Sequence, residues 1–155
     1  KGIMIARFNY SSPLGKIGIQ ADKYGITEVK FVDQPEEDIY NPNYPSIKEA
    51  VRWLDDYFLG NVPSTYPQFH LSGTDFQQKV WQQLRQIPYG RTVTYGQLAQ
   101  RINSSPRAVG NAVGKNPILL FIPCHRVLGQ NGKLTGYSGG LERKKKLLAI
   151  ENIKL

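Results

Sequence analysis

The chain has 155 residues, of which 40% are hydrophobic and 21% charged, a composition typical of a soluble globular protein and unlike a disordered one. No apolar run approaches the roughly 18 residues that span a bilayer, and no secretory signal is visible, so we expect a cytoplasmic protein with no membrane partner. The net charge of +8 is uneven, because residues 1–78 carry 7 Lys and Arg against 10 Asp and Glu, whereas residues 79–155 carry 13 against 2. The basic half is therefore the expected surface for a polyanion.

The first part of the chain is typical of a small antiparallel sheet followed by one helix. Short turns separate three strand-like runs, which cover residues 3–10, 16–21 and 26–32. The segment 46–59 has a helical period, and its apolar face consists of Ile47, Val51, Leu54 and Phe58. Residues 61–72 contain two prolines and no helical period, so we place a linker there and predict two domains, 1–72 and 73–155.

The second part begins with a strong helix signal. Thr74 and Gln77 have the spacing of a capping box, and the apolar face of the helix that follows consists of Phe76, Val80, Trp81, Leu84 and Ile87. We expect this helix to run to about Gln86, because Pro88 and Gly90 follow.

Two shorter helices are predicted next. Thr94 and Gln97 repeat the capping pattern, and Ser105 followed by Pro106 begins a helix whose inner face consists of Ala108, Val109, Ala112 and Val113. A tight Asn-Ser turn joins the two helices, which predicts a helix-turn-helix, although any helical hairpin would give a similar pattern.

The remaining segments complete a mixed fold. Residues 118–122 form a continuous apolar run that predicts a buried strand, and residues 141–151 predict a final helix with a basic outer side. Together the elements predict an α/β fold of the α+β type. A small N-terminal antiparallel sheet-and-helix lobe precedes a mostly helical C-terminal lobe that contains the helix-turn-helix.

Cys124 is the only cysteine, which excludes an internal disulfide and the usual zinc sites built from several thiolates. A single cysteine is most often a buried apolar residue, but here His125 and Arg126 follow it at once. A nearby imidazole or cation lowers the pKa of a thiol and favours the reactive thiolate. We therefore expect Cys124 to be a nucleophile with a lowered pKa, with His125 reaching it directly or through water, and we expect no metal and no cofactor.

Residues 123–127 read Pro-Cys-His-Arg-Val, and this pentapeptide resembles the hallmark of the O6-alkylguanine-DNA alkyltransferases. Other segments resemble signatures of that family in the same order, namely Pro88-Tyr89-Gly90, Thr94-Tyr95, residues 106–110, Asn116-Pro117, residues 136–140 and Glu151. The resemblance covers residues 73–155 almost continuously and is weak in the first lobe. It implies direct-reversal DNA repair, in which one cysteine accepts the alkyl group of O6-alkylguanine irreversibly and in a single turnover. O4-alkylthymine remains open as a second lesion.

The same resemblance implies roles for individual residues. Cys124 is the alkyl acceptor, His125 acts through water as its base, and Glu151 orients the histidine. Tyr95 matches the family's proton donor to the base. The residues that match the guanine pocket and its support are Val113, Asn116, Val127, Tyr137 and Ser138.

The resemblance also implies how DNA is bound. The partner is duplex DNA that contains O6-alkylguanine, and a monomer docks the second helix of the helix-turn-helix in the minor groove. Because O6 is hidden within the stack, the damaged base must be flipped out, and Arg107 matches the finger that fills the gap. DNA contacts are expected from Thr94, Ser105, Arg107, Ala108, Asn111, Lys115 and Arg126.

Two other functions remain open from the residues alone. A non-catalytic helix-turn-helix protein that binds DNA or senses lesions would explain the charge and the capped helices, but not the Cys-His-Arg sequence. A cysteine hydrolase would explain Cys124 with His125, but such enzymes need a histidine distant in sequence and an oxyanion hole, and the sequence indicates neither.

Overall fold

The computed structural model describes residues 4–155, in which the chain forms two compact units, one ending at Ser72 and the other beginning at Gly73. Residue 3, where the first predicted strand begins, lies outside the described residues. None of the helices among residues 4–155 is long and apolar enough to cross a membrane.

The first unit contains a three-stranded antiparallel sheet in the order β1-β2-β3, formed by β1 (Ala6–Ser12), β2 (Gly15–Asp22) and β3 (Gly25–Phe31). Gly25 begins β3 with φ of 143°, in the region that favours glycine. A Cβ at this position would also lie 2.5 Å from the carbonyl oxygen of Gln68, so the turn admits no side chain. The predicted meander is confirmed.

One helix, α1 (Ser46–Phe58), packs on the sheet and confirms the predicted helix. Alternate residues of β2 point to one face, and Ile17, Ile19 and Ala21 are completely buried there. The buried face of α1 consists of Ala50, Trp53, Leu54 and Tyr57. Of the apolar face predicted for this helix, only Leu54 belongs to the buried face. Ile47, Val51 and Phe58 are partly buried and lie beside it.

The end of the segment predicted as a linker is attached to the sheet of the first unit. The backbone N–H of Ile26 donates to Gln68 at 2.8 Å, and the backbone N–H of His70 donates to Ile26 at 2.8 Å. The His70 ring also lies 2.6 Å from the carboxylate of Asp22, measured from Nδ1 to Oδ2. Residues 68–70 are therefore held by β2 and β3.

The second unit is mostly helical. Its helices are α2 (Asp75–Leu84), α3 (Tyr95–Arg101), α4 (Pro106–Gly114) and α5 (Leu141–Ile150). Two short parallel strands, β4 (Val93–Thr94) and β5 (Val127–Leu128), pair Val93 with Val127 and Thr94 with Leu128. Short 3-10 turns occupy Cys124–Arg126 and Gln130–Gly132. With the first unit, these elements confirm the predicted mixed fold.

The helix starts follow the capping residues. The side chains of Thr74 and Thr94 each accept a hydrogen bond from the backbone N–H of the residue three positions on, Gln77 or Gln97. The side-chain oxygen of that glutamine in turn accepts a hydrogen bond from the backbone N–H of the threonine. Ser105 accepts from the N–H of Ala108, and proline fills the next position. Helix α2 ends at Leu84, two residues before the predicted end, and Phe76 in its first turn is 37% exposed rather than part of the apolar face.

Helices α3 and α4 pack together as the predicted helix-turn-helix, with Asn103 in the turn at φ of 56°. Helix α2 packs against α4, and the Nε1 atom of Trp81 donates to the carbonyl of Ala112 at 2.9 Å. Val109, Ala112 and Val113 face inward and are buried. The opposite side of α4 is thereby left to solvent.

The apolar run at residues 118–122 is buried, but the predicted strand there is wrong. The chain turns back on itself, since the backbone N–H of Ile122 donates to Ile118 at 3.0 Å and Leu120 has φ of 72°. A left-handed residue interrupts the extended backbone that a strand requires. This buried turn leads directly to Cys124.

Candidate active site

Cys124 begins a 3-10 turn and is only 4% exposed. Its position depends on Asn116, which follows α4 and is itself buried. The Nδ2 atom of Asn116 donates to the carbonyl of Ile122 at 2.8 Å, and Oδ1 accepts from the N–H of Ile118 at 2.9 Å. The Asn116 amide also acts on the Cys124 thiol and lowers its pKa. One amide therefore closes the buried turn and joins the end of the helix-turn-helix to the cysteine.

Behind the cysteine lies a buried network centred on Glu151. The Nε2 atom of His125 lies 2.7 Å from one carboxylate oxygen, and Arg126 donates to both oxygens, from Nε at 2.8 Å and from Nη2 at 3.2 Å. The N–H of Gly90 donates to Glu151 at 2.9 Å. Burial raises the pKa of Glu151, but the hydrogen bond from His125 and the charge and hydrogen bonds of Arg126 outweigh it and lower the pKa to about 2. The carboxylate is therefore ionised and fully engaged.

His125 is neutral at neutral pH. Burial lowers its pKa, and the hydrogen bond and charge of Glu151 do not offset the burial. Since Glu151 is ionised, it accepts a hydrogen bond, which assigns the proton of the imidazole to Nε2. Nδ1 is then the basic nitrogen of the ring.

The thiol of Cys124 does not have the lowered pKa that its neighbours in sequence predict. Burial raises its pKa to about 11, and the hydrogen bond from Asn116 and the charge of Lys144 oppose this rise only in part. Arg126 is directed to Glu151, and His125 carries no charge to favour the thiolate. The resting site is thus a neutral thiol next to a neutral imidazole.

A cavity of about 280 Å³ reaches Cys124 and is lined by residues of α3, α4, the cysteine turn and the loop before α5, namely Tyr95, Gly110, Val113, Gly114, Cys124, Gly136, Tyr137 and Ser138. Among the residues predicted for the site, Tyr95, Val113, Tyr137 and Ser138 therefore share one space with the cysteine. Val127, Asn116, His125 and Glu151 are buried and do not line this cavity.

Two tyrosines of this cavity have raised pKa values. Burial raises the pKa of Tyr95, and the charge of a Cys124 thiolate adds to it, whereas a hydrogen bond with Thr135 acts in the other direction. Burial raises the pKa of Tyr137 well above its ordinary value. The Tyr137 hydroxyl is buried and has no hydrogen-bond partner among residues 4–155. Both phenols are protonated at neutral pH and can donate.

A second cavity, of about 750 Å³, adjoins the first, because Tyr95 and Gly110 line both. It lies at the start of α3 and α4, and its other lining residues are Thr94, Gly96, Pro106, Arg107, Gln130 and Asn131. The sequence analysis missed Gln130 and Asn131. The Asn-Gly pair at 131–132 predicts a turn, but nothing in the sequence indicates that this turn faces the helix-turn-helix.

The outer side of α4 carries most of the residues predicted to contact DNA. Ser105, Arg107, Asn111 and Lys115 are exposed, whereas Ala108 and Thr94 are partly buried. Arg126 does not belong with them. It is 4% exposed, it pairs with Glu151, and its Nη1 atom donates to the carbonyl of Ile87 at 2.7 Å. The prediction that Arg126 contacts DNA is therefore wrong, because all three of its nitrogens are used inside the unit.

The burial of Lys144 was also missed from the sequence, because the basic residues of the final helix were all expected on its outer side. Its side chain is completely buried, on the same face of α5 as Leu147 and Leu148. The spacing of these three residues is helical and offered a signal, but a lysine within a run of four basic residues gives no reason to expect burial.

Comparison with known proteins shows the family to which the chain belongs. The family model described as the DNA binding domain of 6-O-methylguanine DNA methyltransferase matches residues 75–153, and the model for its ribonuclease-like domain matches residues 7–66. The chain belongs to the 6-O-methylguanine DNA methyltransferase family. The matches confirm the predicted family and the predicted class of enzyme, a methyltransferase that acts on DNA.

Relatives in this family align over nearly the whole chain. The methylated-DNA–protein-cysteine methyltransferase of Methanosarcina acetivorans is 41% identical over 150 residues, covering 92% of this chain and 95% of that protein. The crystal structure of Mycobacterium tuberculosis O6-methylguanine methyltransferase superposes with a TM-score of 0.82 at 39% identity, covering 96% and 93% of the two chains. The same organism's OGT in complex with DNA gives 0.81 at 41% identity, covering 92% and 90%.

Proposed function

We propose that this protein repairs DNA by taking the alkyl group from O6 of an alkylated guanine onto Cys124, with each molecule acting once. The observation that carries the proposal is the position of the only cysteine. It lines a cavity that adjoins the exposed start of the helix-turn-helix, and a buried neutral imidazole follows it in the same turn. A nucleophile, a base and a DNA-binding element are thus combined in one unit.

The chemistry follows from the protonation states. Because the thiol is neutral at rest, its proton has to leave as the sulfur attacks, and Nδ1 of His125, through a water molecule, is the base that receives it. The sulfur–carbon bond forms as the bond between that carbon and O6 breaks. The departing guanine takes a proton from the Tyr95 hydroxyl. Glu151 holds the imidazole in the tautomer that leaves Nδ1 basic and stabilises the imidazolium that forms.

The cavity at Cys124 fits a base that has been flipped out of the duplex. We assign recognition of guanine to the main chain of Val127 and Ser138 and to the Tyr137 ring, with Val113 limiting the size of the alkyl group. A volume of about 280 Å³ is close to the lower end of small-molecule sites and supports a ligand the size of one base.

DNA binding is assigned to the exposed side of α4, with a monomer docked in the minor groove and Arg107 inserted where the damaged base was. Exposed Lys115 and the hydroxyl of Ser105 supply contacts to phosphates, which carry affinity without sequence preference. The complex of the Mycobacterium tuberculosis relative with DNA supports DNA as the partner. The second candidate lesion, O4-alkylthymine, is tested in the same assay.

The experiment compares the wild-type protein with Cys124→Ser on a duplex that contains one O6-methylguanine. We expect the variant to transfer no methyl group but to bind the duplex within a few-fold of wild type, because the hydroxyl is nearly isosteric and far less nucleophilic at neutral pH. Transfer by the variant would remove Cys124 as the acceptor. Binding without transfer by the wild-type protein would instead favour a lesion-sensing function.

A further inference from the structure

The first unit contains a cavity that the proposed repair reaction does not use. It has a volume of about 440 Å³ and is lined by residues of β1, of the segment 38–45 and of the first turn of α1. Protein sites for small ligands have volumes from about 300 to 1,000 Å³, so this cavity is large enough to hold part of a ligand. It shares no lining residue with the cavity at Cys124 or with the cavity at the helix-turn-helix.

The segment 38–45, which forms the outer wall of the cavity, is held at two points. The backbone N–H of Ile39 donates to the carbonyl of Arg7 at 2.9 Å, and the N–H of Arg7 donates to the carbonyl of Ile39 at 2.9 Å. The hydroxyl of Tyr44 donates to the carbonyl of Met4 at 3.3 Å. The wall is therefore formed before a ligand arrives, which lowers the entropy cost of binding. Because Ile39 occupies the edge of β1 at Arg7, the backbone there cannot pair with a strand from a partner.

Apolar and aromatic surface is exposed around this cavity. Phe8, Tyr40 and Tyr44 line it, and the side chain of Tyr40 is 87% exposed. Ile39 also lines the cavity and is exposed, as is Met4, to which Tyr44 is hydrogen-bonded. Exposed apolar groups that lie together on a protein surface indicate contact with a partner. The face of a tyrosine ring also attracts a cation.

The chain around the cavity is acidic. Residues 33–49 carry five carboxylates and one basic residue, Lys48, which lines the cavity. Only one of these carboxylates, that of Glu36, forms a salt bridge within residues 4–155, with Arg7 at 3.2 Å. An excess of carboxylates repels the phosphates of DNA and attracts a basic partner.

Asp38 places one of these carboxylates in the wall of the cavity. Its Oδ1 atom accepts from the backbone N–H of Asn9 at 2.9 Å and from the side-chain amide of Asn9 at 2.8 Å. Its Oδ2 atom accepts no hydrogen bond from residues 4–155 and forms no salt bridge with them. One carboxylate oxygen in the wall is therefore left for a ligand that donates hydrogen bonds.

We propose that this cavity binds an extended, arginine-containing segment of a partner protein, with a guanidinium stacked on Tyr40 and hydrogen-bonded to Asp38. A guanidinium is planar, stacks on aromatic rings and donates to carboxylates. An α-helix is about 10 Å wide, too wide for a cavity of this size, and the edge of β1 is closed to an added strand. The first unit thus recruits a protein, an activity that goes beyond the proposed repair reaction and does not depend on it.

The test titrates the ¹⁵N-labelled protein with the blocked peptide (Gly-Arg-Pro)₃ and records backbone amide shifts. Proline keeps the peptide extended. The matched probe is (Gly-Gln-Pro)₃, which has the same length but no charge. We expect the arginine peptide to shift the amides of residues 6–8 and 38–48 with a Kd below about 1 mM, and the glutamine peptide to bind at least about fivefold more weakly.

Substitutions then test the two contacts. Tyr40→Ala should weaken binding of the arginine peptide about three- to fivefold, and Asp38→Asn about threefold. Lys48→Gln should strengthen it about twofold, because the variant removes a like charge from the wall. Tyr24→Ala, at an exposed tyrosine between β2 and β3, and Asp33→Asn, at an exposed carboxylate that does not line the cavity, are the matched controls and should bind as wild type does.

Three outcomes would overturn the proposal: no shift with about 2 mM arginine peptide, equal affinity for the two peptides, or weaker binding by Lys48→Gln, which would indicate an acidic occupant. Sedimentation of the protein alone provides a fourth outcome. Self-association that Tyr40→Ala abolishes would assign the cavity to a second copy of this chain and likewise overturn the proposal. Tyr40→Ala should repair DNA at the wild-type rate, so failure of the peptide experiment and failure of the proposed function are distinguishable.

Discussion

Cys124 has a raised pKa, and the base assigned to it, His125, has a lowered one. Both shifts have the same cause, because burial disfavours the thiolate and the imidazolium alike. The pair is therefore kept neutral until an electrophile is present. A neutral buried thiol is protected from oxidation and from adventitious alkylation, which suits a residue that can be used once.

The free energy of unfolding of the second unit should fall at acid pH because of Glu151 and His125. Glu151 has a folded pKa of about 2 against an ordinary 4.5, so its stabilisation is present above about pH 4.5 and is lost as the pH falls toward 2. The pKa of His125 is lowered from 6.5, so the unfolded chain takes up that proton first and is favoured as the pH falls below about 6.5. We expect the melting temperature to fall steadily from pH 7 to pH 3, measured by circular dichroism.

Glu151→Gln identifies the source of this dependence. At pH 7 the variant should lose about 3 kcal/mol in unfolding free energy, because it leaves the buried guanidinium of Arg126 without its counter-charge. Below pH 4.5 its melting temperature should fall less than that of wild type. Glu142→Gln, at an exposed position in the first turn of α5, the helix that Glu151 follows, should behave as wild type. Equal acid dependence in both variants would assign the effect to other carboxylates.

At the scale of single elements, the sequence predicts those features that depend on residues close together in the chain, such as the starts of helices. Thr74, Thr94 and Ser105 place three helix starts correctly, because a cap is satisfied by the N–H groups of its own first turn. The apolar run at 118–122 fails as a strand, because hydrophobicity indicates burial but not which partner satisfies the backbone. Here that partner is the Asn116 side chain, which the run itself does not reveal.

For the candidate site, too, the sequence identifies residues but not the tertiary environment in which they lie. The cysteine, the histidine and the late glutamate are visible from their resemblance to a family, and the structure brings them together. The pKa of Cys124 and the burial of Arg126 and Lys144 depend on tertiary packing. Adjacent charges in sequence suggested a lowered thiol pKa, but Arg126 turns to Glu151 instead.

A substitution in helix α4 tests the proposal that the damaged base is flipped out of the duplex. Arg107 is exposed at the start of the helix and lines the larger cavity. Arg107→Ala should slow repair of duplex DNA much more than reaction with free O6-alkylguanine, because the free base needs no extrusion. Single-turnover rates on the two substrates measure the difference.

Arg101→Ala is the control for that experiment. This arginine is also exposed, but it lies at the end of α3 and lines neither cavity. It should reduce duplex repair only slightly, through general loss of charge. Equal losses on both substrates for Arg107→Ala would show that the arginine does not act as a finger.

At the scale of the whole molecule, all of the residues assigned to catalysis and DNA binding lie in the second unit, which also carries the positive charge of the chain. The first unit has its own sheet, helix and core. The charge asymmetry visible in the sequence thus follows the division of the fold.

Alkylation should lower the stability of the protein. An alkyl group on Cys124 enters a site that is only 4% exposed, and overpacking of this kind costs about 1–3 kcal/mol. The thiol is already neutral at rest, so the effect is steric, and the melting temperature should fall by roughly 3–9 °C. Cys124→Ser treated with the same damaged duplex should melt unchanged. An unaltered melting temperature in methylated wild type would show that the site accommodates the group.

The central claim is that Cys124 itself receives the alkyl group, once. The most direct measurement is the intact mass of the protein after incubation with increasing amounts of a duplex that contains O6-methylguanine, followed by peptide mapping. We predict a gain of one methyl group, located on Cys124, with repair that stops at one equivalent of lesion per protein. Repair of several equivalents by an unmodified protein, or a methyl group on any other residue, would contradict the account.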